Sequence, residues 1–285
     1  MVVYMITSIL QPILQNPLKS VFGGGTPWTF ADTTSFAFYD MNTGITNAGS
    51  GKVSAWNDFL GTTARNLAQG TGANRPTLTA DGVEFNGSTD FLFNSNPFIA
   101  NSTNGVLIIT VVSAPANTSV ATQWSISEAS TASTSPNLGL LCKDNALADY
   151  AKITQAMRND ANTNILTYGG NSGSGTAFDN TFKIICHKFD KTTGFITTWI
   201  NGVIESSPLA FTLSGAFTMN RFAIGCLSRS SNINFWSGTY KGIGILDATV
   251  SETDRQRGEG YLAHLYSQTA LLPSDHPYKV NPPTI

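Results

Sequence analysis

Between residues 26 and 250 the apolar positions fall in short runs separated by Gly, Asn, Ser and Pro. Such runs stand at 35–39, 82–85, 91–93, 106–113, 123–127, 181–189, 195–201, 221–226 and 242–246. Many short strands with turn signals between them predict an antiparallel sandwich or barrel rather than alternating βα units. The 106–113 run is almost continuously apolar, as expected of a strand covered on both faces. In 182–189 the residues alternate, with Phe182, Ile184 and Cys186 on one face and Lys183, Ile185 and His187 on the other. Residues 195–201 alternate in the same way. Asp190-Lys191-Thr192-Thr193-Gly194 reads as a hairpin loop ending in Gly, and Asn201-Gly202 as a two-residue hairpin before Val203-Ile204. Residues 181–204 are therefore predicted to form a three-stranded meander.

One helix stands out near the carboxy end. Ser251-Glu252-Thr253-Asp254 has the S-x-x-D form of a capping box, and its acids suit the positive end of the helix dipole. The predicted helix runs to about Ser267, with Tyr261, Leu262, Leu265 and Tyr266 as its apolar stripe and Arg255 and Arg257 toward solvent. A proline-stiffened tail follows, from Leu272-Pro273 to Pro282-Pro283. At the other end, residues 1–25 carry apolar positions interrupted by Pro12 and Pro17 and close on Gly23-Gly24-Gly25. Three regions result: an arm and Gly joint (1–25), a sandwich (26–250), and a capped helix with its tail packed on the sandwich (251–285).

Composition narrows the classes. Only 12% of the 285 residues are charged and the formal net charge is −2, about half the usual share of charge. Its place is taken by Gly, Ser, Thr and Asn, which resist long helices. Seventeen Phe, eight Tyr and five Trp still allow a sizeable core. A near-neutral chain has no general attraction to nucleic acid or anionic lipid. No stretch approaches the ~18 consecutive apolar residues of a membrane span. Three Cys imply no disulfide framework.

The order Val53-Ser54-Ala55-Trp56-Asn57-Asp58, Asn74-Arg75-Pro76-Thr77-Leu78 and Val83-Glu84-Phe85-Asn86-Gly87-Ser88-Thr89-Asp90 carries a family likeness. It continues through Trp199-Ile200-Asn201-Gly202 and Phe222-Ala223-Ile224-Gly225 to Phe235-Trp236-Ser237-Gly238. Together these residues resemble the laminin-G-like, concanavalin-A-like jelly-roll superfamily. The helix and tail look like the carboxy-terminal signature of such domains in tailed-bacteriophage and bacterial surface proteins. The likeness spans about residues 36–283. Gln11-Pro12-Ile13-Leu14 and Asn16-Pro17-Leu18 are similar to the starts of phage structural proteins. The resemblance implies two antiparallel sheets packed face to face, and no single function, since the fold hosts lectins, hydrolases, adhesion modules and capsid parts.

Catalytic groups are sparse. Glycoside hydrolysis needs two carboxylates flanking the sugar, and hydrolase relatives place them at alternate strand positions. None of Glu84, Glu128, Glu205, Glu252 and Glu259 has such a neighbour within a predicted strand. Glu252 and Asp254 are two apart, but capping explains them. His187, His264 and His276 come without a G-x-S-x-G elbow, and the glycine-rich 169–175 stretch lacks the Lys and helix of a phosphate loop. Cys186 and His187 point to opposite faces, so they cannot share an ion, and Cys186 and Cys226 read as buried apolar thiols. Some laminin-G-like domains bind calcium. Asp58 and Asp90 sit in loop-like contexts, but no repeated acidic loop supports a site, and no ligands are assigned. Sugar binding pairs an exposed aromatic ring with amides and hydroxyls. Trp236 with Asn232, Asn234 and Ser237 is the local candidate, set against a Trp236 packed as a core or edge anchor.

The expectation is an all-β, antiparallel jelly-roll sandwich with one short carboxy-terminal helix and an amino-terminal arm. Its function is expected to be that of a non-enzymatic bacteriophage virion protein on the particle exterior, as a capsid decoration or a tail or fibre part. Ile6, Ile9, Leu10, Ile13, Leu14, Leu18 and Phe22 would dock the arm on other virion proteins, set against an arm that folds back onto its own domain. A homo-oligomer is expected, with no cofactor unless calcium, no nucleic acid and no membrane. The alternative is an adhesin that recognises a cell-surface glycan.

Overall fold

The computed structural model describes residues 26–99, 102–115, 122–143, 153–170, 178–205 and 207–285. The arm residues Ile6, Ile9, Leu10, Ile13, Leu14, Leu18 and Phe22 lie outside these. Among the described residues the body is an antiparallel β-sandwich of two nine-stranded sheets, with one α-helix at Glu252–Leu265.

At the centre of the first sheet is the strand Gly105–Ser113. It pairs on one side with Lys183–Asp190 and on the other with Ser237–Asp247. Its two faces explain its almost continuously apolar sequence. Val106, Ile108 and Val112 point into the core between the sheets, while Leu107, Ile109 and Val111 pack beneath the helix with Tyr261, Leu262, Trp28 and Phe30. The helix comes close to the strand because it carries Gly258 there, where a Cβ would lie 2.4 Å from Ile109 Cδ1.

The meander forms as expected. Lys183–Asp190 pairs with Phe195–Ile200, and the Asn201-Gly202 turn returns the chain at Val203–Ile204. Both turn residues have positive φ, 53° and 82°, as a type I′ hairpin turn requires. Ser251 caps the helix, its Oγ accepting from Asp254 N at 3.1 Å. One expectation fails here: Arg255 is not toward solvent but 4% exposed. Its guanidinium is drawn inward by Glu259, 2.6 Å away, and by the ring of Trp199. Arg257, half-buried, pairs with Asp254 at 3.1 Å. The helix ends at Leu265, two residues short of Ser267.

The second sheet runs from Asn164–Gly170 at one edge, through Thr154–Arg158, Asn137–Lys143 and Gln123–Ala129, to Ile45–Asn47 at the other. Pairing between Gln123–Ala129 and Asn137–Lys143 slips, with Leu141 opposite Ile126 and Cys142 opposite Trp124. Such a bulge reverses the facing of the residues beyond it. Ile126 thus joins the core, whereas Trp124 joins a separate outer cluster with Ala129, Ala156 and Leu227. Beside it sits the small hairpin of Leu227–Ser228 and Asn232–Ile233.

Candidate functional site

The structure separates the residues that the sequence grouped. Trp236 is fully buried between the sheets and meets Phe178 edge to face at 5.2 Å. It has no face to offer a sugar, and the packed reading holds. Asn232 accepts from Ser228 Oγ at 2.8 Å. Asn234, whose carbonyl accepts from Trp124 N at 2.8 Å, lines a pocket on the outside of the second sheet. Trp124 lines the same pocket. That pocket has a volume of about 160 Å³, and its charged lining residues are Arg158 and Arg229.

A larger groove, about 420 Å³, lies on the outside of the first sheet. Strand alternation turns Phe195, Thr197 and Trp199 outward, while Ile196 and Thr198 are buried. The adjoining strand adds Lys188 and Asp190, and the first turn of the helix adds Ser251, Glu252 and Arg255. Phe195 is 42% exposed and Trp199 half-buried. Arg255 sits 4.5 Å from the Trp199 ring centroid and backs it.

Electrostatics hold this groove in a defined state. Burial alone would raise the Asp190 pKa, but backbone N–H groups of Thr193 and Thr192 and the Lys188 ammonium outweigh it, so the carboxyl falls below its usual range. The hydrogen bond from Arg255 depresses Glu252 likewise. Both carboxylates are ionised at neutral pH. Behind the groove, Arg255 is fixed by Glu259, which also accepts from the Cys186 thiol at 3.1 Å and lies 3.1 Å from His276 Nε2. Burial, then the Glu259 charge, push the Cys186 thiol well up. It is an inert thiol rather than a nucleophile.

Cys186 and Cys226 are both buried, as expected, and Cys186 and His187 face opposite sides of their sheet. Asp58 spends its oxygens on the backbone N–H groups of Phe38, Leu60 and Thr62. Asp90 accepts from Asn86 N. Among the described residues no group of three His, Cys, Asp or Glu is placed so that it could hold a metal ion.

No family model matches the chain, and no curated protein matches it. Solved structures do. A Trypanosoma rangeli sialidase in complex with sialic acid superposes with a TM-score of 0.56 at 13% identity, covering 89% of this chain and 37% of the sialidase. The covalent 2,3-difluorosialic acid intermediate of the T. rangeli sialidase gives 0.52 at 12%, covering 85% and 33%. A mutant HCR/D chain gives 0.52 at 11%, covering 82% and 52%. The chain thus spans between a third and about half of these proteins, and the likeness concerns the sandwich fold. It overturns the expectation of a non-enzymatic protein, because this fold occurs within solved enzymes. Spacing along one strand reveals only carboxylates that the strand itself carries. The groove gathers Asp190 from a strand and Glu252 from a helix, far apart in sequence.

Proposed function

We propose that the protein is a glycan-recognition module whose binding face is the groove of Phe195 and Trp199. One observation carries this reading: two outward aromatic rings stand beside ionised Asp190 and Glu252 and the hydroxyls of Thr193, Thr197 and Ser251. Ring faces stack on the apolar side of a sugar, and the fixed polar groups select its hydroxyls. The concanavalin-like sandwich shared with the sialidases fits this use. Glycan-array screening followed by titration is the test. Phe195→Ala should weaken the best array ligand about tenfold, the equivalent of about 1.4 kcal/mol, and leave the melting curve unchanged. An empty array, or full affinity in the variant, would refute the reading.

A second reading concerns where the module works. We infer that it sits on the exterior of a bacteriophage particle, as a decoration or a tail or fibre part, docked through residues 1–25. The likeness of the helix and tail, and of residues 11–18, to tailed-bacteriophage proteins supports it. So does the entry of the chain into the body, where Trp28 N donates to Pro283 O and Ile285 N to Thr26 O, both at 3.0 Å. An arm joined at Thr26 thus leads into a body whose amino end is bridged to its own tail. Deleting residues 1–25 should leave a folded body that no longer incorporates into particles. Normal incorporation would sink this placement.

A further inference from the structure

On the outer face of the second sheet, across the sandwich from the groove, the pocket between Trp124 and the Leu227–Ile233 hairpin has a chemistry of its own. Among the described residues its charged lining is wholly positive, in a chain of net charge −2. Among the described residues neither Arg158 nor Arg229 has a carboxylate partner. Arg158 Nη1 reaches only Asn162 Oδ1 at 3.3 Å, and Arg229 Nη1 only the Thr134 carbonyl at 3.0 Å. A guanidinium carries five N–H donors, so most remain unused. Two further donors are buried without a partner, Trp124 Nε1 and Arg229 Nε. Trp124 is only 2% exposed. Both residues line the pocket; an unpaired buried N–H is costly, and an acceptor that a small side-chain adjustment brings within reach removes that cost.

The remaining lining fixes the kind of ligand. Asn137, Asn164 and Asn234 bring amides that both donate and accept, while Ala156 and Leu227 form an apolar floor. The volume of about 160 Å³ is close to the roughly 150 Å³ of a cavity that takes up one benzene ring, so it admits one ring and not two. Donor excess, two unneutralised guanidinium groups and room for one ring together exclude a cation and disfavour a neutral apolar guest.

We propose that this pocket binds a single carboxylated sugar unit, its carboxylate paired with the arginines and its hydroxyls with the asparagines. Guanidinium and carboxylate match as bidentate partners, which makes the arginines the principal determinants. The site is separate from the Phe195 groove and its failure would leave that reading standing.

Calorimetric titration of the full chain with D-glucuronate, N-acetylneuraminate, D-glucose and sodium sulfate tests it. At least one acidic sugar should bind ten or more times tighter than glucose and than sulfate, and the two acidic arms tell which is preferred. Arg158→Gln and Arg229→Gln should each weaken that sugar about tenfold with unchanged melting curves. Trp124→Phe, which keeps the ring and loses the N–H, should weaken it severalfold. Phe195→Ala should leave it unaltered. Binding of glucose or sulfate as tight as the acidic sugars would overturn the proposal. So would the absence of any binding, or full affinity in Arg158→Gln and Arg229→Gln.

Discussion

His187 lies between the sheets at 1% exposure, with Nδ1 2.9 Å from Thr198 Oγ1. Burial lowers its pKa from 6.5 to about 3. The unfolded chain takes up this proton near pH 6.5 and the folded chain only near pH 3. Between those values the unfolded state holds more protons, so stability is full above pH 6.5 and falls as the pH drops. His187→Leu should flatten the fall by up to about 1.4 kcal/mol per pH unit, read from urea midpoints across that window. Trp236→Ala should cost about 3–5 kcal/mol through the cavity it leaves, measured by the same denaturation. It should not alter ligand affinity at either outer face. Single residues were legible where alternation is unbroken, as for Cys186 and His187. Trp124 was not, because the slip opposite Leu141 and Cys142 reverses its facing and leaves no local mark in the sequence.

Among the elements, the helix owes its seat to more than an apolar stripe. Glu259 is fully buried within reach of Arg255, Cys186 and His276, which joins helix, sheet and tail at one carboxylate. Removing one partner of a buried pair strands the other's charge. Glu259→Ala should therefore cost about 3–5 kcal/mol, checked by chemical denaturation. The cap at Ser251, the Asn201-Gly202 turn and the doubly covered Gly105–Ser113 strand were legible, since each rests on contacts within a few residues or on a plain periodicity. The inward turn of Arg255 was not. Its causes are Trp199, on a distant strand, and a glutamate whose own burial depends on His276 from the tail. The strands Asn137–Lys143 and Thr154–Arg158, which wall the arginine pocket, also escaped notice. Leu138, Leu140 and Leu141 join the core, but register slips along both edges of Asn137–Lys143 break the alternation that would mark it.

At the scale of the molecule, the sandwich class was readable from strand length and turn spacing, but the strand order was not. Gly105–Ser113 takes both of its neighbours from much later in the chain, and no local pattern specifies such pairings. The same long-range order builds the two outer faces, so neither site was assembled in the sequence reading. Lys188 and Asp190 meet Glu252 only because sheet and helix pack together. The sites share no lining residue. Ligands at the two faces should therefore bind independently, each with the same affinity whether or not the other is present, as sequential titrations would show.

The Gly105–Ser113 strand, paired along both edges and roofed on both faces, has a bearing on how the protein can be assayed. Backbone amides with this degree of enclosure exchange with deuterated water only when the whole fold opens. Those from Val106 to Val112 should be the slowest in the chain, while the Val203–Ile204 edge, exposed on both side chains, should exchange early. A guest held only by the native state lowers the population of the opened chain by mass action, wherever on the surface it binds. Deuterium uptake in this single buried peptide thus serves as a common gauge for occupancy at either outer face, without a label near the guest.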